Sequence, residues 1–149
     1  MEDLINPDEY FMEKAIKLAE EAFSENEIPI GAIIVFENKI IGKGFNQTEK
    51  LTDVTAHAEI LAITSASQFL GSKFLNDCTI YITVEPCLMC MGAIKWSRLK
   101  RVVIGAKEPK SGFSSFLDKP VSKNLDISFG LFEDRCSDLM KEFFRNRRS

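Results

Sequence analysis

No apolar run in this chain is long enough to cross a bilayer as a helix. The longest, residues 28–36, is less than half of the roughly 20 residues a spanning helix needs. The acidic start Met-Glu-Asp-Leu does not read as a signal peptide, so a cytoplasmic protein with no membrane partner is expected. Cysteine is sparse, with four residues at irregular spacing, which excludes a disulfide scaffold and suits a reducing compartment. Internal repeats and low-complexity tracts are missing, so a solenoid or a disordered linker is not indicated. Basic residues are outnumbered 19 to 22, for a net charge of -3, which argues against an indiscriminate nucleic-acid binder, because phosphate affinity is carried by Lys and Arg.

The distribution of charge is less neutral than its sum. Acidic residues crowd the first 27 positions, whereas Lys95, Arg98, Lys100, Arg101, Lys107 and Lys110 face only Glu108, and Lys141, Arg145, Arg147 and Arg148 close the chain. Such runs are usually solvated surface, although cations converging on one mouth would serve a polyanion. With 149 residues, the chain is expected to be a single domain, residues 1–149, burying roughly two thirds of its unfolded surface.

What stands out is Tyr81 to Cys90, Tyr-Ile-Thr-Val-Glu-Pro-Cys-Leu-Met-Cys: a β-branched strand that stops at Pro86 and opens a helix on two cysteines. Cysteines three apart on a first helical turn share a face, and the positive end of the helix dipole lowers their pKa. Alone, the pair fits redox chemistry, metal binding or structural filling equally well.

Around it, apolar periodicity predicts alternating elements. Asn6 reads as an N-cap with Pro7 at the first helical position and Glu9 completing a capping box, and Phe11, Ala15, Leu18, Ala19 and Ala22 form a helical stripe. Residues 28–36 and 39–45 read as a hairpin turned by Glu37-Asn38, with Gly42 and Gly44 leaving room for close backbone approach. A polar loop over 46–56 feeds a helix over 57–70 that is expected to bury Ile60, Leu61 and Ile63 and to end at Gly71. A strand over 79–84, a helix over 87–96 and a strand over 101–105 follow. Then come a loop with a short helical turn near Phe113, a strand over 126–132 and a helix over 134–145 burying Cys136, Leu139, Met140 and Phe143. The alternation predicts a layered α/β domain with a five-stranded mixed sheet. Two strand–helix–strand crossovers should make the second, third and fourth strands parallel beside an antiparallel edge hairpin. Functional residues then belong beyond the carboxyl ends of those strands, where His57 and Cys87 both fall.

His57 is the sole histidine. A lone histidine is more often structural than a ligand, but one imidazole and the Cys87 and Cys90 thiolates would give zinc three protein ligands. The fourth position would stay open for water, as in catalytic rather than structural sites. Cys78 and Cys136 read as small buried hydrophobes. Glu59 cannot share the ligand face of a regular helix with His57, yet on the first turn it could reach the open position and carry a proton.

The combination His57-Ala58-Glu59 with Pro86-Cys87-Leu88-Met89-Cys90 is the H-x-E and P-C-x-x-C signature of zinc nucleobase deaminases. Further stretches resemble the bacterial tRNA-specific adenosine deaminase family in the right order. These are Ile28-Pro29-Ile30-Gly31-Ala32, Phe45-Asn46, Thr55 to Ile60, Glu85 to Ala93, Arg101-Val102-Val103-x-Gly105-Ala106 and Phe143-Phe144-Arg145-x-Arg147-Arg148. The resemblance implies a three-layer α/β/α, cytidine deaminase-like fold, one Zn2+ per chain on His57, Cys87 and Cys90, and Glu59 as proton shuttle. It implies hydrolytic conversion of adenosine to inosine at wobble position 34 of tRNA-Arg(ACG), by a homodimer. It also implies that Asn46, Ile30 and the Ala58 backbone contact the flipped nucleoside, and that Glu108, Phe144, Arg145, Arg147 and Arg148 engage the anticodon stem-loop. The chain departs from the family pattern at Glu108, where Asp is common, and in a short 113–125 segment. The zinc motif is shared with guanine, cytosine and deoxycytidylate deaminases, so a free-base or nucleotide deaminase is the alternative. A noncatalytic zinc-binding RNA-binding subunit is a further one.

Overall fold

The computed structural model describes residues 6–148, Arg148 by its backbone alone; the acidic first four residues and the Arg148 side chain lie outside the described residues. Helix α1 (Pro7–Ser24) starts where the Asn6 side chain accepts from the Asp8 N–H at 2.8 Å, so the cap closes on Asp8 rather than Glu9. Strands β1 (Gly31–Phe36) and β2 (Lys39–Phe45) form the expected hairpin. They are followed by α2 (Ala58–Leu70), β3 (Thr79–Val84), α3 (Leu88–Trp96), β4 (Arg101–Ala106), a 3-10 turn (Phe113–Ser115), β5 (Asp126–Phe129) and α4 (Glu133–Arg148).

The sheet order is β2-β1-β3-β4-β5, with β1 antiparallel to both β2 and β3, and β3, β4 and β5 parallel. The expectation that the second strand lies in a parallel run needs correcting. β2 points the same way as β3, but β1 is inserted between them, so the first crossover spans two strand positions. The carboxyl ends of β2, β3 and β4 still emerge along one edge of the sheet, where the crossovers place a site.

Alternate residues of the central strands feed two cores, as their near-continuous apolar sequences require. Ala32, Ile34, Ile80, Ile82, Val102 and Ile104 meet α2 and α3 on one face; Ile33, Val35, Tyr81 and Val103 meet α1 and Cys136 of α4 on the other. This is a three-layer α/β/α sandwich on a five-stranded mixed sheet. Helix α2 seats on β2 through small residues. A Cβ on Gly42 would lie 2.5 Å from the Ala62 carbonyl oxygen, and one on Gly44 would overlap that of Ala58. That contact turns Ala58, Ala62 and Ala66 inward and leaves Ile60, Leu61 and Ile63 only half-buried, contrary to the periodicity reading. Strand β5 stops at Phe129 rather than 132, because Gly130 adopts φ +100° and breaks the extended backbone. Leu139 and Met140 are half-buried, while Cys136 and Phe143 are buried as expected. Among the described residues, no helix is long and apolar enough to cross a membrane.

Candidate active site

Helices α2 and α3 each begin on a candidate metal donor. His57 is the N-cap of α2 and Cys87 the N-cap of α3, each in extended conformation with no side-chain capping bond, which leaves the imidazole and thiol free to face each other. Cys90 follows one turn into α3 and is buried. His57 Nδ1 lies 3.7 Å from Cys87 Sγ and 3.5 Å from Cys90 Sγ, and the three donor atoms all lie within 4.8 Å of one another. Bond lengths of about 2.3 Å to sulfur and 2.0–2.1 Å to nitrogen put tetrahedral N···S pairs at ~3.5–3.6 Å, so the donor set fits a zinc-sized ion with little movement. Among the described residues, no other group of His, Cys, Asp or Glu is arranged for a metal.

The protons are already unequally shared. The hydrogen bond from Cys90, and then that with His57, pulls the Cys87 thiol down to about 4. The partnership with Cys87 and burial push Cys90 up, and the bond to Cys87 raises His57. Of the two thiols, Cys87 is therefore the more acidic and the better poised to act as a thiolate donor. Glu59, in the first turn of α2, is only 3% exposed and shares a cavity with His57 and Cys87. Burial raises its pKa to about 7.

That cavity has a volume of about 540 Å3, within the range of small-ligand sites. It brings Ile30, Asn46, Glu108 and Phe144 together with His57, Glu59 and Cys87. Asn46 is buried, its amide nitrogen 3.4 Å from both Glu27 Oε1 and Thr48 Oγ1. Ala58 is buried and is not among the residues that line the cavity. The Glu108 carboxylate is engaged locally, accepting from the Lys110 and Ser111 N–H groups and the Ser111 hydroxyl.

The C-terminal helix divides its residues. Phe143 is buried against Phe23, whereas Phe144 is exposed and forms one wall of the cavity with Met140. Arg145 lines the adjoining cleft with Lys107 and Lys141. Arg147 turns away from this cluster, donating to the Asn26 carbonyl at 3.2 Å and covering the Phe143 ring. Sequence reasoning missed Glu27 and Glu85, 1% and 4% exposed, which receive backbone N–H groups from the two loops beside the cavity. The available signal was an acidic residue abutting an apolar run: Glu27 before Ile28 and Glu85 after Val84.

The model of the MafB19-like deaminase family matches residues 5–148. A tRNA-specific adenosine deaminase from Aquifex aeolicus is 40% identical over 146 residues, covering 95% of this chain and 96% of that one. A structure solved in work on A-to-I editing by tRNA:A34 deaminases at the wobble position superposes with a TM-score of 0.81 at 38% identity, covering 87% and 98% of the two chains. A guanine deaminase from Bacillus subtilis superposes with a TM-score of 0.66 at 35% identity, covering 93% of each. Likeness of this extent, over a chain that lines one cavity with His57, Glu59 and Cys87 and sets the buried Cys90 thiol beside His57 and Cys87, makes the protein a member of the tRNA-specific adenosine deaminase family of cytidine deaminase-like zinc enzymes.

Proposed function

We propose that the protein hydrolyses adenosine to inosine at wobble position 34 of tRNA-Arg(ACG), as a single deaminase domain over residues 1–149 with one Zn2+ on His57, Cys87 and Cys90. The observation that carries the reading is Glu59, buried beside the candidate metal donors in a cavity that Phe144 of the basic C-terminal helix also lines. Zinc, when bound, activates water for hydrolysis at neutral pH. Glu59 takes one proton of the attacking water and delivers it to the purine N1, then carries the second, from the new C6 hydroxyl, to the departing amine. C6–N6 breaks, a C6 carbonyl forms and ammonia leaves. Ile30 and Asn46 orient the base, with the Asn46 amide held by Glu27 and Thr48. A single-stranded anticodon loop can splay its base into such a pocket at low cost. Lys107, Lys141 and Arg145 supply cations beside the mouth, with Arg148 continuing the helix.

The homodimer belongs to the same reading. Its support is the exposed apolar side chains that α2 and α3 carry in the layer on one face of the sheet: Phe69, Leu88, Met89 and, at 79% exposure, Trp96. A cytoplasmic location is supported by the four free thiols. The likeness to a guanine deaminase favours one second reading, hydrolysis of a free base. Zinc-loaded protein incubated with an anticodon stem-loop bearing adenosine 34, and separately with guanine, cytosine and deoxycytidylate, separates the two. Inosine in the digested stem-loop, with no ammonia from the small substrates, is expected; ammonia from guanine and an unchanged stem-loop would replace the reading with the second.

A further inference from the structure

One buried carboxylate beside the site has no part in the chemistry above. Glu85 follows β3 and precedes the Pro86–Cys87 turn. Both its oxygens reach across to the segment after β4: Oε1 accepts from the Glu108 N–H at 3.0 Å and Oε2 from the Ser114 N–H at 2.8 Å. The backbone reinforces the link, with the Glu85 N–H donating to the Ala106 carbonyl at 2.8 Å and the Phe113 N–H to the Pro86 carbonyl at 2.9 Å. Gly112 sits on the carboxyl group. A Cβ there would overlap Glu85 Cδ and Oε1 and lie 2.6 Å from the Glu108 carbonyl oxygen. Its φ of -65° is ordinary, so the position demands space rather than an unusual backbone.

The segment held this way supplies Glu108, Lys110 and Ser111 to the cavity wall, yet its only regular structure is the 3-10 turn at its end. A buried carboxylate is costly unless its acceptor sites are filled, and here the donors are the backbone of that segment. We propose that Glu85 is a positioning residue: it holds loop 107–114 against the metal-ligand turn and thereby sets the width of the substrate cavity. The inference rests on the reading of the cavity as the nucleoside pocket. Acting through the loop, Glu85 governs how well substrate is held rather than the bond-breaking step.

Glu85→Gln keeps the volume but presents an NH2 group to a backbone N–H, and Gly112→Ala disturbs the same contact from the loop side. In the zinc-loaded full chain, amide hydrogen exchange at Glu108 and Ser114 should rise at least tenfold in either variant. KM for the stem-loop should rise about tenfold, with kcat within about twofold and zinc content unchanged. The double variant should be no worse than the worse single one, because both break one contact. Unchanged exchange in both variants, or a fall in kcat with KM intact, would overturn the proposal. Exchange requires no substrate, so a wild type inert toward the stem-loop would refute the assigned substrate while the exchange data still decided the clamp. If Glu85→Gln does not fold, Gly112→Ala carries the same readouts.

Discussion

Replacing Gly44 with alanine tests how the fold sets the site. The new Cβ would meet backbone, overlapping the Ala58 carbonyl oxygen and standing 2.8 Å from Ala62 N and 2.9 Å from Leu61 Cβ. Ordinary van der Waals contact begins near 3.4 Å, so α2 must back away from β2 by at least 0.6 Å and most at its first turn. Overpacking costs typically ~1–3 kcal/mol, and backbone atoms cannot rotate aside, so a loss near ~3 kcal/mol is expected. For a chain of this size that lowers Tm by about 6–12 °C. The first turn carries His57 and Glu59, and a misplacement of about 1 Å at reacting groups costs on the order of 100-fold in rate. Thermal melts followed by circular dichroism, and inosine formation measured well below both midpoints at matched zinc content, separate the two effects. Gly42→Ala presses on Ala62 and Ala66, farther along the helix, so it should match the stability loss with a much smaller loss of activity. A Gly44→Ala protein with an unshifted midpoint and wild-type activity would refute the reasoning.

The Asp8 carboxyl is held below its ordinary pKa chiefly by hydrogen bonds from Arg101, against the opposing effect of burial. A depressed folded-state pKa adds stability that is present above the unfolded value near 3.9 and is lost as pH falls through the folded value. Asp8→Asn should therefore be less stable at pH 7, by no more than about 1 kcal/mol for a pair partly screened by solvent, and should converge with wild type in acid-titration melts. Cobalt loaded in place of zinc should give thiolate-to-metal absorption in the near ultraviolet. Cys87→Ser and Cys90→Ser should each diminish it, since each removes one of the two sulfurs facing His57 Nδ1. Arg145→Ala should weaken stem-loop binding and reduce its salt slope by about one, whereas Arg147→Ala, tied to Asn26, should show mainly as a lower midpoint; fluorescence titrations at several salt concentrations and a melt check both.

The sequence pattern located the site through topology more than through secondary structure. Pro86 between a β-branched strand and two cysteines marked the turn, and the single histidine thirty residues earlier could meet it because β2 and β3 point the same way. That direction survived although the neighbour of β3 was misjudged, because β1 inserts antiparallel to both flanking strands and leaves their carboxyl ends on one edge. The inward face of α2 was misread for a steric reason. Hydrophobicity favours burying Ile60, Leu61 and Ile63, but the closest packing against Gly42 and Gly44 is available only to alanines. Glu27 and Glu85 escaped notice because a lone glutamate carries no periodic signal, and most of their partners are backbone N–H groups more than twenty residues away, which have no side-chain signature.

Single-turnover deamination of the adenosine-34 stem-loop by the zinc-loaded wild type and by Glu59→Gln, read by mass spectrometry of the digested nucleosides, tests the central claim most directly. The glutamine keeps the shape and zinc content of the site but cannot accept a proton. Inosine from the wild type, with a rate lower by about 100- to 10,000-fold in the variant, is the expected result. Inosine formed equally fast by both proteins, or by neither, would contradict it.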